Sequence, residues 1–154
     1  MKRVYSAVAL LFIIMMLLSA CGEPAKPLSE VFGNIKSEVT INNMNELTSV
    51  ESLDKYYGIA KKDVAEFAGG INNTGVSQEE VVLIKAVDSD SANRIKTALD
   101  NRYQAKLNEN KSYNPEQAKM IEKCSVEQNG LYVAMIISEN ADEIAKIYKS
   151  GLGL

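Results

Sequence analysis

The sequence predicts a small α+β domain with a mostly antiparallel sheet of about four strands packed by helices. Three observations predict it. Two runs, 81–87 and 131–138, are apolar at nearly every position, as expected of strands buried on both faces of a sheet. Asn129-Gly130 separates the second run from a strand-like segment before it, which is a strong hairpin signal. Amphipathic segments at helical spacing lie between these strands, and together they give the order αα–ββ–αα–ββ–α.

Two helices open the predicted domain. We expect the first to begin at Ser29 and the second to end at Gly58, a residue suited to a helix C-terminus. A polar, asparagine-rich loop at 42–45 separates them. Apolar residues with helical spacing mark the inner face of the first helix: Leu28, Phe32, Ile35 and Val39.

Two strands, arranged like a hairpin around a turn, are predicted next. Residues 64–68 read as an edge strand that Gly69-Gly70 interrupts, and 72–75 form a turn cluster. The apolar run 81–87, broken only by Lys85, then predicts a strand in the middle of the sheet.

Two further helices and a second hairpin complete the order before the last helix. A helix over about 91–108 follows the capping candidates 88–91, and a short helix runs from the Asn114 cap to about Lys123. The second hairpin pairs strand-like segments 124–128 and 131–138. Asn140 is the expected cap of the final helix, with Glu143 three residues later.

The N-terminus has the pattern of a secretory signal. Lys2 and Arg3 precede an apolar run over 4–18 that is shorter than a membrane-spanning helix requires. Leu18-Ser19-Ala20-Cys21 resembles the lipobox of bacterial lipoproteins. This resemblance implies diacylglycerol transfer to the Cys21 thiol and cleavage after Ala20. Two acyl chains anchor a protein stably, whereas one binds only marginally.

These features divide the chain into three parts. We expect a lipoprotein signal peptide at 1–20, a lipidated cysteine with a short tether at 21–28, and a single domain at 29–150. The chain has 17 basic and 20 acidic side chains, and cleavage would remove two of the basic ones. We expect the domain to lie on the extracytoplasmic face of the cell membrane. An acidic domain is poorly suited to binding nucleic acid or anionic lipid headgroups, so the expected membrane contact is the lipid on Cys21.

The composition excludes several kinds of chemistry. The sequence contains no histidine, which rules out Ser-His-Asp and Cys-His nucleophile pairs and removes the commonest zinc ligand. It contains no tryptophan to stack on a sugar, and no glycine loop with phosphate-binding spacing. We therefore expect no enzyme activity, no catalytic residue, no metal and no cofactor.

The remaining polar candidates have ordinary structural interpretations. Cys124 is the only thiol left once Cys21 carries lipid, and we expect a partly buried structural residue. Asp88 and Asp90 lack the other ligands of a calcium loop and are expected to cap a helix. Glu79-Glu80 is expected to be a solvated pair at the entry to a strand.

Arg102 is the most informative charge in the sequence. On a helical projection it falls within the apolar stripe of Ile95 and Leu99 instead of on the solvated face. Lys106 shares the stripe, but nearer the expected helix end, where it could reach solvent. Arg102 therefore forms either a buried structural ion pair or an anion-recognising, ligand-binding pocket.

Several segments in a characteristic order resemble a known family. They are Leu53-Asp54-Lys55-Tyr56-Tyr57-Gly58-Ile59, the strand from Glu79 to Val87, Arg102, Tyr113-Asn114-Pro115 and Gly130-Leu131-Tyr132-Val133. With the lipobox, they resemble the bacterial lipoproteins of domain-of-unknown-function family 4358, typical of Firmicutes, over roughly residues 30–150. The resemblance implies location and fold kinship, and it brings no activity.

The leading expectation is a membrane-anchored, non-enzymatic binding or interaction module whose ligand or protein partner the sequence does not identify. Two alternatives stay open: a histidine-free cell-envelope enzyme that uses carboxylates, and an accessory subunit of an envelope complex. Converging carboxylates in a cleft would favour the enzyme, a flat apolar patch the subunit, and a concave polar pocket the ligand binder.

Overall fold

The computed structural model describes residues 24–41 and 43–154, which contain five α-helices and one five-stranded sheet. The signal peptide expected at 1–20 and Cys21 lie outside the described residues. In chain order the elements are α1 (Leu28–Glu38), β1 (Met44–Glu46), α2 (Val50–Tyr57), a 3₁₀ turn (Lys61–Asp63), β2 (Val64–Asn72), β3 (Glu80–Ala86), α3 (Ser89–Tyr113), α4 (Pro115–Ile121), β4 (Ser125–Asn129), β5 (Tyr132–Ile137) and α5 (Ala141–Leu152).

The sheet is antiparallel throughout, with the strand order β1-β2-β3-β5-β4. The α+β class and the antiparallel pairing are therefore confirmed. The two strands expected to be interior, β3 and β5, are both flanked by a strand on each side. Their continuous apolar sequences follow from this position, because each strand is covered on both faces.

Helices cover both faces of the sheet, and the side chains of β3 point alternately into the two cores that result. Val82 and Ile84 point into a core shared with α2, α3 and α4. Val81 and Leu83 point into a second core, shared with α1 and α5. All four of these side chains are fully buried. The domain therefore has three layers, with the sheet between two helical layers.

The expectation of about four strands is wrong by one, because β1 lies where we predicted only a loop. Residues 44–46 pair with Asn72, Ile71 and Gly70 of β2. The sequence Met-Asn-Glu carries no strand signal of its own, and its side chains are mostly exposed. This edge strand depends on its partner's hydrogen bonds, and it makes the helix–strand order αβαββααββα instead of αα–ββ–αα–ββ–α.

The predicted edge strand 64–68 is also corrected, because β2 continues through the two glycines and lies inside the sheet. A Cβ atom on Gly69 would lie 2.3 Å from the Val81 carbonyl oxygen, and one on Gly70 would lie 2.3 Å from Cγ of Met44. The glycines allow close approach of both neighbouring strands, so they continue the strand where we expected a break.

The helices fit the predicted starts better than the predicted ends. Asp88 caps α3, since its carboxylate accepts a hydrogen bond from Ser91 N at 2.7 Å. However, α3 has 25 residues and ends at Tyr113 instead of near 108. Asn140 occupies the N-cap of α5 but makes no side-chain capping bond. The second hairpin has its two-residue turn at Gly130-Leu131, one residue later than expected.

Candidate functional site

A polar cleft lies at one end of the sheet, where β2 ends, β3 begins and β5 ends. Its volume is about 440 Å³. Because neighbouring strands are antiparallel, Asn72 at the end of β2 and Glu79 before β3 come to the same edge. Gln117 of α4 reaches this end from one helical layer, and Thr40 after α1 and Asn140 before α5 reach it from the other. The cleft therefore combines residues from both sides of the sheet.

Uncharged hydrogen-bonding side chains dominate the lining of the polar cleft. The carboxylates are Glu79 and Glu139, and the apolar side chains are Val76 and Met120. No lysine or arginine is among the lining residues. The amide and hydroxyl side chains are Thr40, Asn43, Asn72, Thr74, Ser77, Gln117 and Asn140.

Glu79 and Ser138 form a buried polar contact beside the cleft. Glu79 is only 8% exposed, and its Oε1 accepts a hydrogen bond from Ser138 Oγ at 2.7 Å. The same serine oxygen accepts the backbone N–H of Asn140 at 3.1 Å. Ser138 thus joins the end of β5 to the entry of α5, and it holds Glu79 in one position.

Two local networks order the rest of the cleft wall. Asn72 Oδ1 accepts hydrogen bonds from the backbone N–H and the hydroxyl of Thr74, at 3.0 and 2.7 Å. On the opposite side, Gln117 of α4 accepts the N–H of Gln78 at 3.0 Å. These bonds preorganise the loop between β2 and β3, which lowers the entropy that binding would cost.

A second depression, of about 380 Å³, adjoins the polar cleft and shares Met120 and Glu139 with it. It has mixed charge, with Lys119 and Lys123 facing three carboxylates. The polar cleft differs from it in having no cation in its wall. We take the polar cleft as the candidate site, because buried Glu79 and many amide and hydroxyl side chains line it.

A separate buried charge cluster lies under α3. Glu80 begins β3 and is fully buried, with Arg102 Nη2 3.0 Å and Lys106 Nζ 2.8 Å from its Oε2. Arg102 Nε also donates to Oε1 at 3.2 Å, and Lys106 donates to the Gln78 carbonyl at 2.6 Å. The expectation that Glu79-Glu80 is solvated is wrong, because each glutamate has a hydrogen-bonding partner inside the fold.

The balance of charge in this cluster determines which group holds its proton. Burial alone would raise the pKa of Glu80, but the charges of Lys106 and Arg102 outweigh it, so this pKa is lowered. Lys106 is buried with one anion and another cation nearby. Burial therefore lowers its pKa, although Glu80 opposes the change. Two cations around one carboxylate therefore account for the lowered pKa of Glu80, and burial accounts for the lowered pKa of Lys106.

Arg102 lies where the helical projection placed it, on the inner side of α3. Its side chain is one-third exposed and its guanidinium carbon lies 6.0 Å from the centre of the Tyr57 ring. Its contacts are those of a structural ion pair, and it lines neither depression described above. Lys106 was expected to reach solvent but is buried, because α3 continues to Tyr113 and Lys106 is two turns from its end.

Cys124 is buried, and its thiol donates to the carbonyl oxygens of Met120 and Ser138 at 3.3 and 3.5 Å. Burial raises the pKa of this thiol. Within residues 24–41 and 43–154, no group of three or more acidic or cysteine side chains could hold a metal ion. No helix in the same ranges is long and apolar enough to cross a membrane.

The family described as "Domain of unknown function (DUF4358)" matches residues 37–138. This match covers most of the chain, including β1 to β5 and the residues of the buried charge cluster. The chain belongs to the DUF4358 family. The domain family inferred from the ordered segments is therefore confirmed over these residues. Searches of the curated proteins and of the solved structures found no match.

Sequence reasoning did not identify the polar cleft of this DUF4358 domain. Its lining residues come from four separate segments, and most are asparagine, threonine or serine, which in a sequence indicate only turns and caps. One signal was available. Glu79 and Ser138 immediately flank the two most apolar strands, at ends that antiparallel pairing brings together. When polar residues border two buried antiparallel strands at ends that pairing brings together, a contact between the two residues is expected.

Proposed function

We propose that this DUF4358 protein is a bacterial lipoprotein, anchored on the extracytoplasmic face of the membrane, and that it binds a small polar ligand in the polar cleft. The observation that carries the binding proposal is the cleft itself. It is concave, it has about 440 Å³ of space, and hydrogen-bonding side chains dominate its lining. Concave sites with a few fixed polar groups are the usual places for small-molecule recognition.

The anchoring part of the proposal is supported by the N-terminal sequence. The basic start, the short apolar run and the lipobox-like Leu18-Ser19-Ala20-Cys21 are expected of an exported, lipid-modified protein. The domain begins soon afterwards, at Leu28. Cys21 would therefore attach the folded domain directly to the bilayer.

The binding role is proposed as non-enzymatic. The sequence has no histidine, which leaves carboxylates as the available general bases near the cleft. Glu79 already accepts a hydrogen bond from Ser138 and is held against the end of β5. The proposal assigns Glu79 the role of a fixed hydrogen-bond acceptor in the wall of the site.

The lining also restricts the charge of the ligand. Two carboxylates face the cleft and no cation lines it, so an anion would be repelled. A ligand with hydroxyl or amino groups could donate hydrogen bonds to Glu79, Glu139 and the amide oxygens. We therefore propose a neutral or positively charged polar ligand.

The experiment measures the melting temperature of the full protein with chemically defined probes. Glucose, glucosamine and spermidine represent neutral and cationic ligands, and glucuronate represents an anionic one. We expect glucosamine or spermidine to raise the melting temperature, and Glu139→Gln to reduce that rise. Glu139 is exposed and lines the cleft, so its replacement should leave the fold intact.

Glu109→Gln is the matched control, because Glu109 is also exposed but lies on α3 outside the cleft. It should leave the effect of the probes unchanged. A larger stabilisation by glucuronate than by the cationic probes would contradict the proposed ligand chemistry. If Glu139→Gln and Glu109→Gln reduce the rise in melting temperature equally, the cationic probes bind the acidic surface nonspecifically.

A further inference from the structure

The residues that lead into the domain are attached at a defined place. Lys26 N donates a hydrogen bond to the carbonyl oxygen of Gly151 at 2.8 Å, which joins the tether to the last turn of α5. Two residues later, Leu28 N donates to the Glu66 carboxylate, near the start of β2. The chain therefore enters the domain at one end of the sheet, held by backbone groups on both sides of Pro27.

The polar cleft lies at the opposite end, and three elements give the same result. α1 begins at the tether and has 11 residues, so its far end, near Thr40 of the cleft, is about 16 Å away. α5 runs in the opposite direction, from the cleft to Gly151. Along β2, Asn72 lies six residues after Glu66, a distance of about 20 Å in a strand.

The segment from Cys21 to Lys26 is comparable in length to these distances. Five Cα–Cα steps join the two residues, and they span at most about 18 Å when fully extended. Pro24 limits the conformations of this short segment further. A lipid on Cys21 would therefore hold the Lys26–Gly151 end close to the bilayer, while the cleft lies beyond it by the length of α1.

We propose that the domain stands on the membrane with the Lys26–Gly151 end toward the lipid, and that the polar cleft opens away from the bilayer. This inference rests on the proposed lipid anchor. It also specifies the source of the ligand, which is a water-soluble molecule of the extracytoplasmic space and not a lipid headgroup.

Depth-dependent fluorescence quenching tests the orientation. The full lipidated protein is reconstituted into phosphatidylcholine vesicles that carry a nitroxide quencher at the headgroup. One fluorophore is placed at Ser150→Cys, beside the tether contact, and another at Asn73→Cys, beside the cleft. Both positions are exposed. The protein without these two substitutions measures the background labelling of the buried Cys124.

We expect strong quenching at position 150 and at least threefold weaker quenching at position 73. Equal quenching at the two positions, or stronger quenching at position 73, would overturn the orientation while leaving the anchor intact. Flotation of the same samples separates these outcomes from failure of the anchor. If the protein with Cys21 does not float with the vesicles, or if Cys21→Ala floats equally well, the lipid anchor is wrong and the orientation with it.

Discussion

Glu80 holds two cations of α3 against the sheet, and removing one of them tests whether Arg102 is structural. We expect Arg102→Met to lower the free energy of unfolding by about 1–3 kcal/mol, because Lys106 remains as a partner for the buried carboxylate. The cost should shrink in a Glu80→Gln background, which a double-mutant cycle measured by urea unfolding will show. Lys111→Met is the control, since Lys111 and Glu122 form an exposed pair on the surface.

The outcome also separates the two interpretations of Arg102 that the sequence left open. In an anion-recognising pocket, the unpaired charge of Arg102 would lower the free energy of unfolding of the domain without its ligand. Under that interpretation Arg102→Met would raise the free energy of unfolding and would abolish stabilisation by added anions. A stabilised single variant would therefore contradict the ion pair described here.

Acid should weaken this cluster in a predictable direction. The pKa of Glu80 is lowered in the folded protein, so the unfolded chain binds the proton more readily. The contribution of Glu80 is present above its usual value of 4.5 and is lost as the pH falls through the lower folded value. We expect the difference in free energy of unfolding between wild type and Glu80→Gln to shrink from pH 7 to pH 3. A constant difference over this range would be the contrary result.

Cys124 is expected to be a structural residue. Its thiol is buried with a raised pKa, which leaves little thiolate at neutral pH. Cys124→Ala should cost about 1–2 kcal/mol through lost packing. Alkylation of the folded protein at pH 7 should be slow and should accelerate to the rate of a free thiol in urea. Fast alkylation without urea would contradict this assignment.

Among the strands, β2 depends on its two glycines. Gly69→Ala should destabilise the domain by about 2 kcal/mol or more, because the new Cβ would meet the backbone of β3, which cannot move without breaking the ladder. Gly33→Ala is the matched control, since a Cβ there has nothing within 4 Å in the middle of α1. It should stabilise the domain by about 0.5–1 kcal/mol. Thermal unfolding measures both, and a neutral Gly69→Ala would show that β2 can separate from β3 at this point.

The elements that the sequence predicted well are those whose signal is local. The apolar runs of β3 and β5 identified interior strands, and Asp88 and Asn114 identified the starts of α3 and α4, where both act as caps. β1 and the second half of β2 could not be predicted in this way. Most of their residues are polar or glycine, and they form strands because a neighbouring strand supplies the hydrogen bonds.

The length of α3 was underestimated for a related reason. Beyond residue 108 its sequence is polar and lacks an apolar stripe, so the pattern predicts an end. The structure continues the helix, and this part contains the buried Asn110 as well as Lys111, whose Nζ lies 3.5 Å from the Glu122 carboxylate just after α4. Lys106 and Glu80 are buried although each is charged, because they pair with each other.

At the scale of the whole molecule, the Lys26–Gly151 contact and the polar cleft lie at opposite ends of the sheet. The sequence placed Arg102 on the correct side of its helix, and the lipid tether before Lys26 stays a prediction. The cleft could not be predicted, because it exists only after Asn72, Glu79 and Ser138 are brought together by antiparallel pairing. A site assembled from strand ends needs the register of the sheet, which composition and spacing do not supply.

The central claim is that this domain is held on a membrane through Cys21. Metabolic labelling with a radioactive fatty acid in a bacterial host that expresses the protein tests it most directly, with wild type compared with Cys21→Ala and with Cys124→Ala as the control. We predict that wild type and Cys124→Ala incorporate the label and that Cys21→Ala does not, and that Cys21→Ala remains precursor-sized or is released from the membrane. Normal labelling of Cys21→Ala, or an unlabelled wild type, would contradict the account.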